Sequence, residues 1–348
     1  MWGEWNLSRY TRWTASEQKD AEDLLAKGGL RFESPPPDLL IIARDGGGRP
    51  IGSGALAGNV IKQLVVDDEN RGTGLFAGIV SLLLEEAAAR GRHHVFAYTQ
   101  PPSAVFIAGL GFSEVARTSR VVLLETGGPG IGSWLSRLEE ERGPGGTAAA
   151  IVVNCNPFSL GHLYLVESAA GEVDQVHVFV VSEDRSLFPT PVRLRLVREG
   201  LAHLPAVRVH EGGPYIISGA TFPNYFLRSP GEAAEVQAEL DATIFAGRIA
   251  PRLGITHRFL GEEPLDPTTE TYNRALLEVL PRHGIAVRII PRREREGKPI
   301  SASAIRRAIR EGNWDQVRNL APPVTLAFLR SPEAEPIIEK IRGSDSPH

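Results

Sequence analysis

Residues 148–155, AAAIVVNC, are apolar at almost every position, and the chain turns straight afterwards through NPFSLGH. An alternating run would suit a strand with one wet face. A continuous one suits a strand covered on both faces, as in a parallel sheet. The residues beyond keep to that pattern: HLYLVESAAG reads as helix, QVHVFVVS as strand, PVRLRLVREGLAHL as helix and AVRVH as strand. Helix follows in EAAEVQAELDATIFAGRIAPRLG, strand in HRFLGEE, helix in TETYNRALLEVLPRHG, strand in IAVRIIPR and helix in SASAIRRAIREGN. Such alternation predicts a doubly wound, Rossmann-like α/β sheet with ligands at the carboxyl ends of its strands.

At 348 residues the chain is too long for one typical core. Its seam is the stretch GGPGIGSWLSRLEEERGPGGT, glycine-rich at both ends around a short polar helix. We therefore expect a first domain over 1–126, a linker with a short helix over 127–147, and a second domain over 148–348. In the first, residues 14–27 read as helix and DLLIIARDGGGRPIGSGALAG as two strands around a glycine turn. IKQLVVDD is a strand, ENRGTGLFAGIVSLLLEEAAARG a glycine loop and long helix, and HHVFAYTQ a strand. PPSAVFIAGLGF is a short helix and turn, and VARTSRVVLLE a last strand. Arg71, Gly72, Thr73 and Gly74 form the loop ahead of the long helix, where open backbone N–H groups and the helix dipole favour an anion.

That order of elements over residues 14–125 resembles the GNAT acetyltransferase fold, through IKQLVVD, RGTGLF and AVFIAGLGF. The resemblance implies an α+β domain whose glycine loop receives the phosphates of a CoA-like group. Two positions depart from the family. Glu69 stands where the loop usually opens with Gln or Arg, and Ile107 stands where a tyrosine often serves as general acid. An aliphatic side chain cannot protonate a leaving thiolate. Binding of a CoA-like group without transfer from acetyl-CoA is therefore the expectation.

Polar residues gather where the strands of the second half end: NCNPFSLGH, SEDRS, GEEP and KPISASAIR. Singly, each has a plain structural reading, His162 as a surface or capping residue, Ser301 as a helix cap and Arg306 as an exposed helix charge. Together they resemble the nucleotidylyltransferase superfamily, whose members carry [HT]-x-G-H after the first strand and an I-S-S/T-S/T-x-x-R segment after the last. Here these are Ser159-Leu160-Gly161-His162 and Ile300-Ser301-Ala302-Ser303-Ala304-Ile305-Arg306. The resemblance makes His162 a hydrogen-bond donor to the α-phosphate of ATP and puts Ser159 in the first-histidine position as a weaker, neutral donor. Ser301, Ser303 and Arg306 then hold the departing pyrophosphate. Asn156, Pro157, Phe158 and Gly161 in the turn are expected to bind ATP or its phosphates, Lys298 adds a phosphate contact, and Gly261 and Glu262 line the adenosine end. Mg2+ would bridge the phosphates, although no carboxylate cage is visible.

The segments NCNPFSLGHLYLVE, YIISGATFPNYFL, GEEPLDPTTETYN and KPISASAIRR, with the GNAT-like first half, resemble the citrate lyase ligase family over nearly the whole chain. That family uses ATP and acetate to form acetyl-adenylate, and passes the acetyl group to the CoA-like thiol prosthetic group of the citrate lyase acyl-carrier subunit. Ser218, Thr221 and Asn224 are then candidates for an acyl pocket, with a tight loop packed by Phe222, Tyr225 and Phe226 as the competing reading. Arg185, Arg193 and Arg195 are candidate anion contacts, with surface ion pairs as their alternative. Cys155 is expected to be packing. Two other functions remain: a nucleotidyltransferase forming a dinucleotide cofactor, and a tRNA-modifying acetate ligase. The net charge of −4, without a basic stripe, speaks against nucleic acid. A single cysteine, no signal pattern and no 18-residue apolar stretch predict a cytoplasmic protein with no membrane partner.

Overall fold

The computed structural model describes residues 5–143, 145–182, 186–216, 222–223, 225–227, 230–262, 267–295 and 297–343. The chain separates into two compact units, Met1–Trp134 with Phe222–Val236, and Leu135–Thr221 with Gln237–His348. The seam read from the sequence cuts the chain once, whereas the first unit also takes in a later segment anchored by buried Phe222, Tyr225 and Phe226.

The first unit holds a seven-stranded sheet in the order β1-β2-β3-β4-β5-β7-β6. The strands are β1 (Trp5–Tyr10), β2 (Leu39–Asp45), β3 (Pro50–Ala57), β4 (Val60–Val66), β5 (His94–Thr99), β6 (Ser113–Arg117) and β7 (Val122–Gly127). All neighbours are antiparallel except β4 and β5. The helices are α1 (Ala15–Lys27), α2 (Leu75–Ala89) and α3 (Ala104–Ala108). α1 begins at Thr14 in a reciprocal cap, with Thr14 N–H donating to Glu17 Oε2 at 2.6 Å and Glu17 N–H to Thr14 Oγ1 at 3.4 Å. α2 and α3 supply Leu75, Ile79, Leu83, Ala104 and Ile107 to the core under the sheet. This is the mixed sheet with glycine loop and helix that the acetyltransferase resemblance implied.

Two features of this sheet differ from the sequence reading. WNLSRY forms β1, whose polar alternation hid it, and VARTSRVVLLE is two strands. The break falls at Thr118, whose Oγ1 accepts the Val121 N–H at 3.1 Å while its own N–H donates to Val121 O at 2.8 Å. A side chain that closes a turn on its own backbone competes with the ladder.

Helix α4 (Gly130–Glu140) leads into the second unit, a five-stranded parallel sheet in the order β10-β9-β8-β11-β12. Its strands are β8 (Ala148–Val153), β9 (Gln175–Val180), β10 (Val207–Glu211), β11 (Ile255–Gly261) and β12 (Ala286–Ile290), each parallel to its neighbours. The order reverses between β8 and β11, which opens the crevice where such sheets take ligands. The connecting helices are α5 (Leu160–Ala170), α6 (Thr190–Leu201), α7 (Pro230–Ile244), α8 (Ala250–Leu253) and α9 (Pro267–Val279). A two-stranded ribbon, β13 (Glu294–Arg295) and β14 (Lys298–Pro299), precedes α10 (Ala302–Arg310). The sequence reading stopped at α10, but α11 (Trp314–Leu320), α12 (Pro323–Leu329) and α13 (Glu335–Gly343) continue the core with Val317, Phe328 and Ile341. Among the described residues no helix is long and apolar enough to cross a membrane.

Candidate functional site

Strand β8 delivers the chain to the sheet's carboxyl edge, where Cys155 adopts a left-handed φ of 54° and the chain turns back into α5. Ser159 caps α5. Its Oγ accepts the His162 N–H at 3.3 Å, and its own N–H donates to His162 Nδ1 at 3.1 Å. This is a capping box with histidine in the place usually held by Glu or Gln. Ser159 Oγ also lies 2.9 Å from Nδ1, and the residue is only 1% exposed. Its hydroxyl is thus committed inside the cap.

The cap fixes the histidine's proton. Nδ1 accepts a backbone N–H, so the neutral ring carries its hydrogen on Nε2. Burial, with the nearby charge of Arg292, pushes the His162 pKa down to about 4. At neutral pH the ring is therefore an uncharged N–H donor at the start of a helix.

The second half of the site is α10. Ser301 caps it, accepting the Ala304 N–H at 3.1 Å, and the Ser301 and Ser303 hydroxyls lie 3.0 Å apart. Two contacts lock this helix start to that of α5. Arg306, 7% exposed, donates through Nη1 to the carbonyl oxygen of Asn156. A Cβ on Gly161 would meet the Ile300 carbonyl oxygen at 2.6 Å, so only glycine allows this approach. Two helix N-termini with their open N–H groups thereby face one region, together with a buried guanidinium. Burial and the charge of Arg310 lower the Arg306 pKa from its ordinary value, the cost of holding a cation there.

The remaining turn residues are supports. Asn156 Oδ1 accepts the Phe188 N–H at 3.0 Å. Pro157 is buried, and Phe158, 1% exposed, lies in the core with its carbonyl oxygen bonded by Thr325 Oγ1 at 2.8 Å. Burial pushes the Cys155 thiol up, which keeps it protonated and inert.

On the other side of the crevice Gly261 ends β11, and Glu262 is tied by its N–H to Ile290 O at 2.9 Å. Arg292 donates through Nε to the Glu262 carbonyl oxygen at 2.7 Å. The sequence reading passed over Arg292. Its signal was the one used elsewhere, a charged residue just beyond a parallel strand's carboxyl end.

Some expected residues lie elsewhere. Arg193 is fully buried, and its guanidinium donates to the carbonyl oxygens of Asn154 (2.8 Å), Val181 (2.7 Å) and Phe188 (2.9 Å), which makes it a clamp on the backbone rather than a ligand contact. Arg195 forms an exposed pair with Glu333 at 2.7 Å, its surface alternative. Lys298 lies in β14, with its side chain outside the described set. Arg185, Ser218, Thr221 and Asn224 also fall outside the described residues. In the first unit Arg71 pairs with Asp68 at 2.6 Å on the surface, and Thr73 Oγ1 donates to Asn70 O at 2.8 Å. Gly72 and Gly74, at φ 77° and 85°, give the loop the left-handed turns that start α2. Glu69 pairs with Arg49 at 3.0 Å, and Ile107 is 3% exposed in the core. Among the described residues, no cluster of three or more His, Cys, Asp or Glu could hold a metal ion.

Residues 148–329 match the family model described as citrate lyase ligase C-terminal domain. The chain is also 41% identical over 286 residues to the citrate (pro-3S)-lyase ligase of Klebsiella pneumoniae, covering 81% of this chain and 84% of that one. The chain belongs to the citrate lyase ligase family. A family member from Escherichia coli K12 is 34% identical over 331 residues, covering 92% and 94% of the two chains. Among solved structures, Thermotoga maritima TmcAL bound with alpha-thio ATP aligns with a TM-score of 0.35 and 17% identity, over 53% of this chain and 55% of that one. An acyl-CoA N-acyltransferase from Klebsiella pneumoniae aligns with a TM-score of 0.30 and 18% identity, over 35% of this chain and 97% of that one. Both the turn carrying His162 and the helix carrying Arg306 lie inside the segment matched by the citrate lyase ligase model.

Proposed function

We propose that this protein is an AMP-forming acid–thiol ligase that activates acetate with ATP and acetylates the thiol of the CoA-like group on the citrate lyase acyl-carrier subunit. The observation that carries the reading is the junction of α5 and α10, locked by Arg306 on the Asn156 carbonyl oxygen and by Gly161 against Ile300. A site with two helix N-termini, an uncharged N–H donor and a buried guanidinium suits a polyphosphate whose negative charge moves during reaction.

A carboxylate oxygen of acetate attacks the α-phosphorus, and the bond to the bridging oxygen of pyrophosphate breaks. His162 Nε2–H donates to an α-phosphate oxygen as charge builds there, while Ser159 holds the ring in that orientation. Arg306 and the Ser301–Ser303 cap take the pyrophosphate. Arg292 adds a cation on the opposite side of the crevice. Positioning and electrostatics supply most of the acceleration in such transfers. Mg2+ enters as the magnesium complex of the substrate ATP, and no residue here is assigned to it as a ligand. The carrier's thiolate then attacks the acetyl carbonyl carbon and AMP leaves. The Arg71–Gly74 loop at the start of α2 receives the phosphates of the carrier's arm, which gives the first unit a use that needs no general acid at Ile107.

ATP–pyrophosphate exchange tests the reading. Exchange should depend on acetate and vanish in His162→Ala while the fold is retained. Absence of exchange with every carboxylic acid tried would remove the ligase reading.

A further inference from the structure

The first unit contains a gap in its sheet that the chain itself fills. Strands β4 and β5 pair at only two positions, Val60 with Phe96 and Ile61 with Ala97. Beyond them β4 bulges, since its register against β3 jumps from Lys62 opposite Ala55 to Val65 opposite Ser53. Gln63, within the bulge, has a left-handed φ of 55°. A bulge bends and twists its strand, and this one turns β4 away from β5. Phe96 N–H donates to Asn59 O at 2.9 Å across the joint, so Tyr98, two residues on, points its carbonyl oxygen along the same edge.

Tyr225 enters this slot. Its hydroxyl donates to the Tyr98 carbonyl oxygen at 2.8 Å and faces the backbone N–H of Gln63, so the phenol stands between the two parted strands. Phe222 packs edge-on against Tyr98 at 5.4 Å, and Phe226 edge-on against Tyr225 at 5.0 Å. The segment is held from outside the slot as well, by Arg31 N–H donating to Tyr225 O at 2.8 Å and by the Arg31 guanidinium on Leu227 O. Tyr225 is 6% exposed.

The Gln63 N–H and Tyr98 carbonyl oxygen are one donor and one acceptor at the opening of a sheet. They match the secondary amides of a thin extended chain, as an added strand would. We propose that Tyr225 is a self-occupant of this slot, and that the amide-bearing thiol arm of the acceptor binds in competition with it and displaces it. This inference rests on the reading that the first unit receives that arm. Occupation by Tyr225 lowers the apparent affinity for the arm by the fraction of molecules whose slot is open. The device lets an unloaded ligase keep its slot dry and ties arm binding to release of Tyr225.

The test titrates coenzyme A, as the probe for the arm, into the full-length wild type, Tyr225→Phe and Tyr225→Ala, with acetate-dependent ATP–pyrophosphate exchange as control. Tyr225→Ala should bind about tenfold more tightly than the wild type, the scale of one or two net hydrogen bonds. Tyr225→Phe, which keeps the ring and loses only the hydroxyl, should fall between them and covers the case in which the alanine variant fails to fold. Equal affinity in all three would overturn the competition and leave the slot a binding site. No binding by any of them, with exchange intact, would overturn the arm reading of the first unit and the competition with it.

Discussion

Arg306 donates its Nη1 to the carbonyl oxygen of Asn156, a residue 150 positions earlier in the chain. A surface arginine on α10 would leave the two halves of the site free to drift. A buried one ties the turn after β8 to the last helix of the alternating pattern. The planar fork of a guanidinium is a geometry that lysine cannot copy. Arg306→Ala should lower acetate-dependent exchange by about 10²–10³-fold, the usual loss of one preorganised donor. Arg306→Lys should recover only part of that. Exchange kinetics with each variant, checked against its melting curve, decide the point, and an unchanged rate in Arg306→Ala would remove its role.

The state of His162 sets a pH dependence. Its folded pKa is about 4 against an ordinary 6.5, so the unfolded chain takes up this proton first as pH falls. Between those values the unfolded state holds more protons, and stability is lost as pH falls through the window. His177 and His210, buried and hydrogen-bonded to each other at 2.9 Å, are pushed the same way by burial and add to the loss. The melting temperature should be flat above pH 6.5 and fall from there toward pH 4. Exchange at a fixed temperature where the protein stays folded should show no acid limb near pH 6.5, because the working ring is already neutral. An acid limb there that disappears in His162→Gln would contradict a neutral donor.

Gly161 gives the sharpest steric test. Its added Cβ would lie 2.6 Å from the Ile300 carbonyl oxygen, a backbone atom that cannot swing aside. Gly161→Ala should push the α5 and α10 N-termini apart, with a stability loss of about 1–3 kcal/mol, the range for forced overpacking. The exchange rate should fall more than tenfold, by about one to two orders of magnitude, because catalytic geometry tolerates little displacement. Denaturant melts and exchange assays measure the two effects separately.

The parallel sheet of the second unit was legible because its central strands β8 and β9 are largely apolar and because strands and helices alternate along the chain. The site was legible at its carboxyl ends for the same reason, since Ser159, His162, Ser301 and Arg306 all follow strands. The division of labour within it was not. Nothing in SLGH says that the serine hydroxyl is consumed by the cap while the histidine keeps Nε2 open, because that depends on which lone pair the backbone fills. Arg193 and Arg306 read alike as helix arginines, yet one is walled in by carbonyl oxygens and the other stands at the junction of two helix starts. The Tyr225 contact was hidden because a segment with no periodicity reaches a strand more than a hundred residues earlier, Tyr98 being 127 positions away.

Arg193 provides the contrast that separates scaffold from site. It is 0% exposed and satisfies the carbonyl oxygens of Asn154, Val181 and Phe188 together with Thr190 Oγ1 at 2.7 Å. Removing it strips the buried Phe188 carbonyl oxygen and Thr190 hydroxyl of their donor, and their desolvation is then uncompensated. Arg193→Met keeps the length and apolar stem of the side chain, and should still cost about 2–4 kcal/mol, since each buried acceptor left without a donor costs about 1–3 kcal/mol. Substrate contacts are untouched, so under conditions where the variant is folded its KM for ATP should stay within about twofold of the wild type, since a residue that binds no substrate gives no uniform-binding loss. Urea titration measures the stability and steady-state exchange the KM. A variant that melts like the wild type but binds ATP poorly would return Arg193 to the list of anion contacts.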